Sequence, residues 1–385
     1  MSKKKVYLKK VSLSGYRTII DTQIELNSGL NIIIGKNSSG KTSFLDFLNA
    51  SLKFNLTETF SNCKSDVTII SENELRIIQE NQTQEISDNA FIETTNESYF
   101  VDGIPYTPEE KYHPTIFFAE KKSYFFVKHI KHGIPEQIYS WTLSEDIAIT
   151  ITPNNKVTRP LIPLISAIIR GRVVPFFLGS AISKAVFNLT NLNEIEDGFR
   201  SIIQEYCLAY SNKLKIFSSI KSIKLSENFS ITFNQSNGEL IISNLFFLFY
   251  SNDSWLSYNQ LSDGSKRVAY IISEFITGTN SSENSIYLIE EPELGIHPHQ
   301  LHKLALFLKE ESFNKQIILT THNPQTLNIL DENELGSIIL CNYSKSTGTT
   351  LNHLTEKQKV KATAYMKEVG YLSMYWLHSD LETDE

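Results

Sequence analysis

Between residues 6 and 34 the apolar positions recur every second residue, in Val6-Tyr7-Leu8, Val11-Ser12-Leu13 and Gln23-Ile24-Glu25-Leu26, and then close up into Leu30-Asn31-Ile32-Ile33-Ile34. A spacing of two is that of half-buried strands, and the final run is that of a strand buried on both faces. Gly15-Tyr16-Arg17 and Asn27-Ser28-Gly29 supply turns between them. Further strands are predicted at Asp66–Ile70, Glu74–Ile78, Ala90–Ile92 and Ser98–Val101, separated by Asn/Gln/Glu-rich turns, and at Thr115–Ala119. Their regular spacing suits an antiparallel β-subdomain.

Beyond residue 119 the pattern loosens, with Pro153, Pro160, Pro163 and Pro175 interrupting it. Order returns with Leu192, Ile195, Phe199, Ile202, Tyr206, Tyr210 and Leu214, spaced for one amphipathic helix, and with strand-like sequence at 229–233 and 239–250. From 256 onward helices predicted at 266–276 and 298–311 alternate with strands at 285–290, 316–320 and 337–340. Alternation of this kind implies a parallel sheet whose ligand sits at the carboxyl ends of the strands. Residues 355–369 read as helical, Tyr371–Trp376 as an aromatic cluster, and the end of the chain is acidic.

Four stretches carry chemistry. Gly35-Lys36-Asn37-Ser38-Ser39-Gly40-Lys41-Thr42 lies between the strand 30–34 and the helical pattern Ser43-Phe44-Leu45-Asp46-Phe47-Leu48. Strand, glycine-bounded loop and helix follow in the order a phosphate cradle requires, with inward-turned N–H groups and a helix N-terminus behind them. Lys41 is placed for the β- and γ-phosphates and Thr42 for Mg²⁺. Glu290 and Glu291 close the strand Ile286-Tyr287-Leu288-Ile289; Glu290 fits a Mg²⁺ ligand and Glu291 a base that takes a proton from attacking water. Leu261-Ser262-Asp263-Gly264-Ser265 precedes a helix, and Ser262 with Gly264 offers either a second phosphate contact or an ordinary helix cap. Ile317-Ile318-Leu319-Thr320-Thr321-His322 delivers a histidine at the end of a buried strand, within reach of a γ-phosphate or its water.

Composition narrows the setting. The chain has 385 residues, 41% apolar and 21% charged, with a net charge of −7, which fits a globular protein and excludes a surface that is basic overall. Cys63, Cys207 and Cys341 show no metal-ligand spacing and imply a reducing, cytoplasmic setting. No apolar run is long enough to span a membrane. Glu120–His132 interleaves basic and aromatic residues, as nucleic-acid surfaces do and as solvated lysines over a buried aromatic edge also do.

The four ordered motifs resemble the Walker A, signature, Walker B and switch-histidine elements of ABC-type ATPases. Tyr16-Arg17, Asn37 and the run Glu290-Glu291-Pro292-Glu293 to His297-Pro298 resemble the SMC/RecF/OLD-like branch. The resemblance implies an α/β P-loop NTPase, an ABC-ATPase head over 1–345 (halves 1–125 and 251–345) with a flanking antiparallel β-subdomain and an inserted mixed helical lobe at 126–250, followed by a helical tail at 346–385. It implies ATP and Mg²⁺ as ligands, bound by Gly35, Asn37, Ser38, Ser39, Gly40, Lys41, Thr42 and Ser43, with Thr42 and Glu290 on the metal. Glu291 and His322 would act in the same subunit, and Ser262 and Gly264 would reach the nucleotide of a second copy in a homodimer or higher homo-oligomer. Glu290 stands where most ABC proteins have Asp, and no Q-loop glutamine is assigned. The chain shows no heptads for coiled-coil arms, and the stretch after His322 is short for the nuclease domain of OLD proteins. The expected role is therefore an ATPase that regulates a separate effector, a nuclease or toxin, in bacterial anti-phage defence, the alternative being a DNA repair or recombination ATPase that grips duplex DNA.

Overall fold

The protein was analysed as a computed structural model, which describes residues 5–56, 62–71, 73–87, 90–107, 126–131, 147–150, 195–234, 239–244, 246–275 and 285–378. Two compact units divide the chain: Met1–His132, Ser281–Glu293 and Ala305–Glu385 form the first, and Gly133–Asn280 with Leu294–Leu304 the second.

The first unit holds two six-stranded sheets. One contains β1 (Tyr7–Tyr16), β2 (Ile19–Glu25), β4 (Cys63–Ile70), β5 (Glu74–Ser87), β6 (Ala90–Val101) and β7 (Ile104–Tyr106), antiparallel throughout in the order β2-β1-β4-β5-β6-β7. The strands expected separately at 6–8 and 11–13 are one strand with a register shift between Leu8 and Lys10. Those expected at 90–92 and 98–101 are likewise one strand. Thr115–Ala119 lies outside the described residues.

The other sheet runs β18-β17-β3-β16-β15-β8, with β3 (Leu30–Ile34), β8 (Phe126–Ile130), β15 (Ser285–Glu290), β16 (Gln316–Thr321), β17 (Ile338–Ser344) and β18 (Gly348–His353). All its pairs are parallel except β17/β18. Every residue of β3, β15 and β16 is buried, as expected of a parallel sheet covered on both faces. Residues 348–353 were assigned from the sequence to a helical tail; they form the edge strand β18, whose Thr349 is fully buried despite its polarity.

Helix α1 (Lys41–Leu52) buries Phe44, Leu45, Phe47 and Leu48 in a core shared with Leu8, Leu13, Val67 and Ile69 of the antiparallel sheet and with Ile286, Leu288 and Ile318 of the parallel one. Each such side chain contributes about 1.5–3 kcal/mol. Asp46 of α1 pairs with Arg17 at 3.6 Å and with Lys131 at 3.1 Å, so one lysine of the basic-aromatic stretch holds the helix. Helices α5 (Glu356–Glu368) and α6 (Leu372–His378) complete the unit, with Tyr365 and Tyr375 in ring contact at 5.2 Å.

The second unit contains α2 (Ile195–Phe217), α3 (Asp263–Phe275) and two three-stranded sheets. These are β10-β13-β14, from Ser222–Leu225, Phe247–Ser251 and Ser254–Ser257, and β11-β12-β9, from Ser230–Asn234, Glu239–Ser243 and Ile147–Thr150. Asn252 and Asp253, with φ of 50° and 58°, make the tight β13–β14 turn. The hydroxyl of Tyr210 in α2 donates to the carbonyl of Ala269 in α3, and Ile223 N donates to Ser211 Oγ at 2.9 Å, tying α2 to the edge of β10. Helix α4 spans Pro298–Ser312. Among the described residues no helix is long and apolar enough to cross a membrane.

Candidate nucleotide site

Strand pairing brings three of the four motifs to the carboxyl ends of neighbouring strands in the parallel sheet. Thr320 is the register partner of Ile33 on β3 and of Glu290 on β15, and Thr321 is the partner of Ile34, the residue before the glycine-bounded loop. With about 4.8 Å between neighbouring strands, Glu290 stands about 10 Å from Ile33, with Thr320 between them. Because the strands are parallel, all three loops emerge at carboxyl ends.

In the loop, Ser38 takes φ 63° and Gly40 φ 103°. Asn37, Ser38 and Thr42 are exposed, while Gly35, Ser39, Lys41 and Ser43 are buried. Lys41 Nζ folds back over the loop and donates to the carbonyls of Gly35 and Lys36, both at 2.8 Å. This ammonium, 5% exposed, and the first N–H groups of α1 give the loop its positive field.

The acidic side is built differently at each carboxylate. Glu290 ends β15 and is 3% exposed. Glu291 follows with φ 39°, a conformation costing roughly 1–2 kcal/mol for a residue with a Cβ, and its amide donates to Thr320 O at 2.9 Å. Glu293, quoted in the sequence motif without a role, is 7% exposed; its Oε1 accepts from Thr321 Oγ1 at 2.6 Å and from the His322 amide at 3.1 Å. The half-exposed imidazole of His322 then lies with Nδ1 at 3.4 Å from Glu293 Oε1 and 3.7 Å from Glu291 Oε1. Glutamates and histidine thus form one cluster next to the loop strand.

A Mg²⁺ bound with nucleotide phosphates needs one or two protein oxygens and keeps waters. The buried Glu290 carboxylate fits that need, and the Thr320 hydroxyl, its register partner, is buried without a hydrogen-bond partner among the described residues. Among the described residues no three His, Cys, Asp or Glu side chains gather as a self-sufficient metal site.

Ser262 and Gly264 stand in the second unit at the start of α3. Ser262 Oγ accepts from Ser265 N at 3.3 Å, the geometry of a helix cap, and is exposed. Gly264 is buried, and a Cβ there would meet Gly295 O at 2.6 Å, so close backbone approach requires the glycine. Helix α3 begins at Asp263, before the predicted 266. The extra turn follows from that cap.

A search of curated protein sequences gave no match. Two solved structures share the fold over nearly their whole length. One is the SmcHead bound to the C-winged helix domain of ScpA, 14% identical, with a TM-score of 0.51, 92% of this chain and 99% of that chain covered. The other is the Smc head domain with an extended coiled coil bound to the C-terminal domain of ScpA, derived from Pyrococcus furiosus, 14% identical, with a TM-score of 0.52 and coverage of 94% and 100%. The fold is therefore that of a P-loop ABC-type ATPase head, as the motif order implies. Residues 30–328 match the family described as "AAA domain, putative AbiEii toxin, Type IV TA system", a family of nucleotide-binding ATPases. With the match spanning well over half of its length, the chain belongs to this AAA-domain family.

Proposed function

We propose that the protein binds and hydrolyses ATP, closes as a homodimer or higher homo-oligomer around it, and uses that cycle to hold or release a separate effector, a nuclease or toxin, in anti-phage defence. One observation carries the catalytic part: the loop after Ile34, the Glu290–Glu291 pair and His322 leave three adjacent parallel strands on one side. The family's description supports a toxin-related role, and the OLD-like form of the Glu290–Glu293 run supports an effector regulator.

In this reading Lys41 leaves the carbonyls of Gly35 and Lys36 for the β- and γ-phosphates, and the loop N–H groups cradle them. Thr42 and Glu290 would hold Mg²⁺, which when bound would neutralise charge on the phosphate oxygens. Glu291 accepts a proton from the water whose oxygen bonds to the γ-phosphorus; the bond to the β–γ bridging oxygen breaks, giving ADP and phosphate. His322, fixed by Glu293 and close to Glu291, orients that water or the γ-phosphate. Ser262 and Gly264 contact the nucleotide of the facing copy, so closure depends on the γ-phosphate and ends with its loss.

Nucleotide-dependent mass is the direct test. Wild-type protein should turn over ATP and associate with ATP but not with ADP, and its stable partner should co-purify when both are expressed from the native locus. Hydrolysis stimulated by duplex DNA with a steep salt dependence, and no protein partner, would replace effector control by DNA binding.

A further inference from the structure

Thr349 is fully buried in β18, in a stretch of sequence that carries no motif and falls outside the family match. Its hydroxyl donates to the carbonyl of Ser39 at 2.9 Å, across 310 residues of sequence. The same hydroxyl also reaches Thr18 Oγ1 at 2.8 Å, so its one proton is shared between the Ser39 carbonyl and Thr18. The backbone of Thr349 is fixed in turn: Thr349 N donates to Thr18 O at 2.7 Å, and Thr22 Oγ1 donates to Thr349 O. Cys341 Sγ on β17 adds a weaker contact to Ser39 O at 3.5 Å.

The peptide held in this way is Ser39–Gly40. In a trans peptide the C=O and the following N–H point in opposite directions. A carbonyl anchored to Thr349 therefore turns the Gly40 N–H away from β18. Gly40 cannot slide past this anchor with any other side chain, because a Cβ there would sit 2.0 Å from Thr349 Oγ1 and 2.8 Å from Thr18 Oγ1.

We infer that Thr349, seated by Thr18 and Thr22, is a positioning residue for phosphate recognition: it sets the direction of the Gly40 amide that meets the nucleotide's phosphates. The inference rests on the proposed ATP site and adds to it a residue from the far end of the chain. An amide aimed correctly before binding costs nothing to reorient when the anion arrives. The ligand class is a nucleoside di- or triphosphate; a nucleoside without phosphates does not feel the anchor.

The test compares Thr349→Val, of nearly the same shape but without a hydroxyl, with Thr349→Ser, which keeps it. Binding of ADP and of a non-hydrolysable ATP analogue to the full chain is measured by calorimetry, with thermal melting alongside. Thr349→Val should weaken both nucleotides about tenfold, or about 1.4 kcal/mol, and Thr349→Ser should restore them to within twofold. KM for ATP should rise with kcat little changed. Equal affinity in wild type and Thr349→Val overturns the inference, as does a Thr349→Ser protein as weak as Thr349→Val. If Thr349→Val does not fold, Thr18→Val, which removes the competing acceptor and leaves the Thr349 proton to Ser39, should keep nucleotide affinity at or above wild type, and a tenfold loss overturns the inference. Failure of wild type to bind any adenine nucleotide defeats the ATP-site reading itself, an outcome distinct from these.

Discussion

The amide of His322 donates to Glu293 Oε1 at 3.1 Å, so the histidine at the end of β16 is held by a carboxylate of the β15 loop 29 residues earlier. The same oxygen accepts the Thr321 hydroxyl at 2.6 Å. Glu293 is thereby a brace between two strand ends. Removing it leaves the His322 amide without its acceptor and the Thr321 hydroxyl with only the long contacts to Asn323 O and Thr326 Oγ1, both 3.4 Å, and an unsatisfied group of this kind costs about 1–3 kcal/mol. Glu293→Ala should lower the urea midpoint and reduce ATP turnover together. Unchanged stability would show that the brace contributes nothing.

Lys41 is the charge the phosphates require, and it also closes the empty loop. Lys41→Ala should lose nucleotide binding by a hundredfold or more, on the order of 3 kcal/mol, as measured by calorimetry. Circular dichroism should still report a folded chain, since α1 keeps Phe44, Leu45, Phe47 and Leu48 in the core.

Glu291→Gln keeps size and shape and removes the base. Binding of ATP should persist while phosphate release falls by about 10²–10⁴-fold, and the ATP-bound oligomer should accumulate in light scattering. Turnover at the wild-type rate would remove Glu291 from the role of base.

Ser262→Arg places a long cation at the start of α3, where the proposed second copy presents its phosphates. ATP-driven association in the Glu291→Gln background should disappear. An unchanged association would mean that the Ser262 cap faces no neighbouring nucleotide.

The thiols give a pH-dependent check on the core. Burial pushes Cys63 up to about 11 and Cys207 up to about 12, and Cys341 is raised as well. At pH 8 the thiolate fraction of Cys63 is then on the order of one in a thousand, and reaction with iodoacetamide followed by mass spectrometry should be slow until urea is added. The signs agree: a raised thiol pKa keeps the unreactive form at neutral pH and yields it only in strong alkali.

How much of this could be read beforehand depended on locality. Strands β3, β15 and β16 announce themselves because burial on both faces demands continuous apolar residues, and the motif chemistry follows at their ends. Strand β1 was split by Lys9 and Lys10, where a bulge lets two lysines stay on an otherwise alternating strand. Strand β6 was split because Glu93–Glu97 is polar on both faces, so neither period shows. Glu293 was visible as a letter but not as a brace, since its role exists only after β15 and β16 pair. The contact of Thr349 with Ser39 left no local trace at all; Gly348-Thr349-Thr350 falls in the stretch read as a helical tail, and only the hairpin β17–β18 reveals it.

Strand β3 has β16 on one side and β17 on the other, its Leu30 paired with Ile317 and its Ile32 with Ile338. During synthesis the phosphate loop is therefore made early and stays without its lateral support until most of the polypeptide has left the ribosome. A product halted in the middle of translation would have the Walker A letters and no cradle. Assembly of the cradle thus waits for the late strands, a dependence that any truncated form of the protein would expose.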